Sequence, residues 1–69
     1  MPTYLVNKVK RDGTYHEVHE SYCAHRTDRQ NQHPLGNHAT CRGALQQAER
    51  DHYTPADGCY YCCNDCHSG

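Results

Sequence analysis

The sequence predicts an α+β domain in which a β-hairpin packs on one α-helix and leads into a cysteine-rich C-terminal knuckle. Three observations carry this expectation. Two runs rich in β-branched and aromatic residues flank an Asp-Gly pair, small apolar residues recur at helical spacing after Thr40, and two CxxC pairs stand side by side near the C-terminus.

The hairpin is expected over residues 3–20. Residues 3–9 (TYLVNKV) and 14–20 (TYHEVHE) have strand composition, and Asp12-Gly13 supplies the positive φ angles of a two-residue turn. Pairing across that turn sets Val9 opposite His16 and Val6 opposite His19. Leu5, Val9, His16 and Val18 then share one face, with Val6, Tyr15 and His19 on the other. Lys8, Lys10 and Arg11 fall at the solvated tip.

Residues 24–39 are polar and irregular and read as a loop, within which residues 33–38 offer a short third strand and Leu35 is the one buried side chain. Thr40 suits an N-cap. Cys41, Ala44, Leu45, Ala48 and His52 then recur on one helical face, and Pro55 limits the helix to residues 41–53. Cys41 lies near the helix N-terminus, where the partial positive charge favours a thiolate.

The apolar content is too small to hold these elements together unaided. Leu5, Val6, Val9, Val18, Leu35 and Leu45 are the large aliphatic side chains of a 69-residue chain without Phe or Trp. A single domain of this size needs a staple, and six Cys and seven His offer one. The opening MPTYLVNKVKRDG turns polar too early for a signal peptide or a membrane span, so a cytoplasmic protein is expected, where close cysteines read as metal ligands rather than disulfides.

The knuckle, residues 58–67, carries the chemistry. Thiolates spaced as in Cys59 and Cys62 fold around a tight turn and reach one tetrahedral zinc ion at about 2.3 Å. His19 and Cys23, four apart at the hairpin exit, would complete the ligand set, giving His19, Cys23, Cys59 and Cys62 around Zn2+. The fourth position stays open to Cys66, His67, Cys41 or His16. Cys63 has the weakest claim because adjacent ligands on one ion are sterically awkward. Cys41 and Cys66 are also candidates for a structural disulfide or a reactive pair. His25, His33, His38 and His52 are expected to face solvent or to cap.

The order of a strand bearing His19, Cys23 four residues later, a polar loop, an Ala-rich helix and then Cys59 and Cys62 resembles the metal-binding domain of Ada-type DNA repair proteins. The strings HEVHESYC, LGNHATCRGA and GCYYCCNDCH are similar to a group of short bacterial proteins of unassigned function, with the shared pattern HEVHxxxC, LGxxxxCxxA, GCxxCxxxCH. The resemblance implies a four-ligand zinc site joining the hairpin to the knuckle, with no mechanism attached.

Function is bounded accordingly. A formal charge of −1 argues against a general nucleic-acid binder. The expectation is a non-enzymatic, monomeric zinc module with a structural ion that binds a protein or nucleic-acid partner and no membrane. The alternative is thiol redox or metal handling by the surplus cysteines.

Overall fold

The computed structural model describes residues 2–68. Among them, β1 (Thr3–Asn7) and β2 (His16–Glu20) are followed by a 3-10 turn (Arg29–Asn31), β3 (Gln32–Asn37), α1 (Cys41–Arg50), β4 (Ala56–Gly58) and a second 3-10 turn (Asn64–Cys66). One mixed sheet runs in the order β3-β1-β2-β4. β1 is antiparallel to β2 and β3, and β4 is parallel to β2. The α+β class is therefore as the sequence predicts, with a larger sheet.

The hairpin turn has the expected chemistry but a different register. Asp12 and Gly13 have φ of 51° and 72°, and the Thr14 N–H donates to the Arg11 carbonyl at 2.9 Å. Val6, however, faces Val18, and Leu5 faces His19. The cause is that residues 8–10 leave the ladder: the Lys8 N–H donates to the Asn31 carbonyl at 2.7 Å and the Val9 N–H to Asn7 Oδ1 at 3.0 Å. A one-residue slip exchanges faces. Val6 thus joins Tyr4 and Val18 in the core, Leu5 lies with His19 and Glu17 on the opposite face, and Val9, expected inside, is 56% exposed.

Residues 24–39 are not all loop, since β3 lies within them. Tyr4 pairs with Gly36 and Leu5 with Pro34, so Leu35 is the extra residue of a bulge. Its side chain enters the core, and Gly36 takes φ 80° beside it. Pro34 is tolerated because β3 is an edge strand.

α1 buries Ala44 and Ala48, with Cys41 and Leu45 partly buried against the same cluster. Thr40 occupies the N-cap in extended conformation without a side-chain cap bond. The helix ends at Arg50 rather than 53. His52 adopts φ 74°, its N–H donates to the Glu49 carbonyl at 3.1 Å, and the Tyr53 N–H reaches the Ala48 carbonyl at 2.9 Å. That is a Schellman ending, so His52 is exposed and off the buried stripe.

β4 has no counterpart in the sequence expectation. Its parallel ladder on β2 is extended at both ends by His16 N–H to the Pro55 carbonyl at 2.8 Å and Cys59 N–H to the Val18 carbonyl at 2.9 Å. The crossover through β3 and α1 thereby delivers Cys59 beside the strand that carries His19.

Candidate metal centre

Two strands and two backbone turns assemble the site. β2 presents His19, which is 1% exposed. The Cys23 N–H donates to the Glu20 carbonyl at 3.0 Å, turning the chain back so that Cys23 approaches the strand end. β4 places Cys59, and the Cys63 N–H to the Cys59 carbonyl at 2.9 Å closes the turn that returns Cys62. The ligand atoms of His19, Cys23, Cys59 and Cys62 all lie within 4.8 Å of one another.

The spacing suits a tetrahedral ion. Arms of about 2.3 Å put two sulfurs about 3.8 Å apart, and Cys23 Sγ and Cys59 Sγ are 3.9 Å apart. Each sulfur also receives a backbone N–H: Glu20 to Cys62 at 3.2 Å, His25 to Cys23 at 3.4 Å and Tyr61 to Cys59 at 3.4 Å. Such donors favour the thiolate form.

His19 supplies the fourth atom. Its Nε2 lies 3.0 Å from Glu17 Oε1, so the neutral ring donates there and presents a lone pair at Nδ1. Nδ1 is buried and has no hydrogen-bond partner. Leaving such an atom unsatisfied costs on the order of 1–3 kcal/mol, a penalty that a coordinated cation removes.

Electrostatics point the same way. Burial holds the His19 imidazole below its ordinary pKa, against the opposing pull of Glu17. Burial pushes the Cys62 thiol far above the ordinary thiol range, and Cys63 upward too. Burial thus disfavours the charged forms of His19 and Cys62, and a bound ion would stabilise the thiolates.

Glu17 was not anticipated as part of the site. It is buried, accepts from Arg11 Nη1 at 3.2 and 3.3 Å and from the Tyr15 hydroxyl at 3.4 Å, and orients His19. The two-residue spacing of Glu17 and His19 places both on one strand face, which is the signal that could have found it. A carboxylate behind a ligating histidine fixes the tautomer and the ring orientation.

The alternates lie elsewhere. Cys41 and Cys66 form a disulfide, with Cα atoms 6.3 Å apart. His67 Nδ1 contacts the Gly58 carbonyl at 2.9 Å and Asp57 Oδ2 at 3.4 Å. His16, on the strand face opposite His19, bonds the Asn7 carbonyl at 2.8 Å through Nδ1 and meets Tyr53 edge-on. Cys63 is buried outside the group of four. Of the histidines expected to face solvent or to cap, His25 stacks on Tyr61 at 3.9 Å, His33 Nε2 pairs with Asp51 Oδ2 at 3.0 Å, His38 Nε2 bonds the Leu35 carbonyl at 2.9 Å, and His52 terminates α1.

Fold and site together define a small α+β domain with one histidine and three cysteines able to hold a metal ion. No family model matches the chain, and neither a curated protein nor a solved structure matches it. Among the described residues no helix is long and apolar enough to cross a membrane.

Proposed function

We propose that the chain is a zinc-binding domain whose ion is structural and whose surface serves as an interaction module. The observation that carries this is the convergence of the unsatisfied, buried His19 Nδ1 with three sulfurs that each accept a backbone N–H. One imidazole and three thiolates at tetrahedral spacing suit Zn2+. When bound, the ion would cross-link the hairpin exit to the knuckle. Four protein ligands leave no open position for water or substrate, which favours a structural over a catalytic role. We place the protein in the cytoplasm as a monomer; the four unpaired cysteines fit a reducing compartment, although the Cys41–Cys66 disulfide does not.

The partner surface in this reading includes Tyr60 and Tyr61, which are 58% and 67% exposed and lie between ligands Cys59 and Cys62. Zinc would fix their presentation to a protein or nucleic acid. The likeness to Ada-type domains supports the ligand arrangement. Those domains use four cysteines, one of which accepts a methyl group, and with His19 at the first position that activity does not carry over. Thiol redox or metal handling is the second reading, favoured by the Cys41–Cys66 disulfide and the buried Cys63.

Metal content by native mass spectrometry of the unreduced protein tests the first reading. One Zn2+ per chain is expected, lost in Cys59→Ser and Cys62→Ser and kept in Cys63→Ser. A wild-type chain without zinc, or equal loss in all three variants, would sink it.

A further inference from the structure

Three of the chain's six cysteines lie outside the His19 group, and they collect at one place. Cys41 opens α1, Cys66 ends the second 3-10 turn and is bonded to it, and Cys63 lies buried with its sulfur 3.7 Å from that of Cys62. The Cys66 N–H donates to the Cys63 carbonyl at 2.9 Å, folding the second CxxC into a tight turn. Gly58 admits this turn: a Cβ there would stand 2.7 Å from the Cys63 carbonyl oxygen and 2.9 Å from the Cys66 Cβ. Cys41, Cys62, Cys63 and Cys66 all line a single cavity of about 540 Å³, together with the charged residues Glu20, Asp65 and Arg42.

We propose that this cavity is a second metal site, closed while the Cys41–Cys66 disulfide stands. After reduction, Cys41, Cys63 and Cys66 hold one thiophilic divalent ion, and Cys62 is the sulfur shared with the ion of the first site. Adjacent cysteines are awkward on one ion when their sulfurs diverge, but here the sulfurs of Cys62 and Cys63 stand 3.7 Å apart, close to the edge of about 3.8 Å expected of two sulfurs on one tetrahedral ion. An all-thiolate set selects soft or borderline ions, and among the charged side chains lining the cavity Glu20 and Asp65 outnumber Arg42. The step balances with a dithiol as reductant. It gives two electrons and two protons to the Cys41–Cys66 bond, which breaks to two thiols, and leaves as its own disulfide. Ion binding then releases the protons of Cys41, Cys63 and Cys66 to solvent. Metal uptake at this site is thereby tied to the redox state of the chain, which deepens the metal-handling reading. Only the sharing of Cys62 rests on the zinc reading of the first group.

The test is a Zn2+ titration of the oxidised full chain, and of the same chain reduced with a water-soluble phosphine, with bound ions counted by native mass spectrometry. Reduction is expected to raise the count from one to two ions. The added ion should be absent in Cys63→Ala and in the Cys41→Ala/Cys66→Ala double variant, both retaining the first ion. No increment in the wild type, two ions before reduction, or an increment that survives in either variant would overturn the second site. If the oxidised chain binds none and reduction adds one ion that Cys63→Ala removes, the His19 site fails and this one stands. One ion both before and after reduction means the converse: the His19 site stands and this one fails.

Discussion

A neutral imidazole donates from one nitrogen and accepts at the other, and at His19 the buried Glu17 carboxylate settles which, leaving Nδ1 to the three sulfurs. His16 uses its Nδ1 on the Asn7 carbonyl on the opposite face. His19→Ala should therefore weaken zinc binding severely in competition with a colorimetric chelator, whereas His16→Ala should keep one ion per chain and lose about 1–2 kcal/mol of stability. A metal-bound ring shift at His16, with His19 titrating freely, would refute the assignment. The pH dependence follows from the lowered pKa of His19. The unfolded chain protonates this residue near pH 6.5 while the folded chain resists, so the unfolded state binds more protons as pH falls. Its contribution is fully present above about pH 6.5 and is lost in acid, and protons compete with the ion for sulfur in the same direction. Thermal unfolding of the loaded protein should move to lower temperature from about pH 7 to about pH 5; a flat profile would contradict a buried, neutral His19. These four side chains were legible because ligand spacing is local. Glu17 was not, because its role depends on burial, and a strand glutamate is ordinarily exposed.

At the scale of elements, what the sequence left hidden was decided by backbone groups that leave their expected ladders. Asp12-Gly13 announced the turn, but nothing in residues 8–10 announced that Val9 would bond the Asn7 side chain instead of a strand partner. β4 is Ala-Asp-Gly, with no strand propensity, and is held by the ladder it completes on β2. The helix was legible from its Ala spacing but not its end, which a histidine caps in a conformation that usually calls for glycine. The register makes a sharp prediction. Val6 is fully buried beside Val18, and Val9 faces solvent. Val6→Ala should cost about 1.5–3 kcal/mol and Val9→Ala less than about 0.5 kcal/mol in denaturant titrations of the loaded protein. Equal losses would restore the two-residue register.

Across the whole molecule, two of the four candidate ligands are also core residues. Cys23 and Cys59 belong to the buried cluster with Val6, Val18, Leu35, Ala44 and Ala48, so the apolar contacts that position the sulfurs are those the ion would hold in place. The need for a staple was legible from the scarcity of large aliphatics, and Cys41 with Cys66 was one candidate disulfide; whether the two would pair or ligate was not, since these residues, 25 apart in sequence, come together only once α1 and the knuckle have folded. Their magnitudes differ. Closing a loop of that size constrains the unfolded chain by about 3 kcal/mol, whereas a structural zinc contributes on the order of 10 kcal/mol. Stripping the ion also leaves His19 Nδ1 buried without a partner. Chelation of the oxidised protein should therefore unfold the sheet despite the intact disulfide, seen as collapse of the amide NMR dispersion, and added Zn2+ should restore it. Reduction of the loaded protein should leave that dispersion in place. A metal-free, oxidised chain that keeps its dispersed spectrum would show that core and disulfide suffice, and would remove the structural role assigned to the ion.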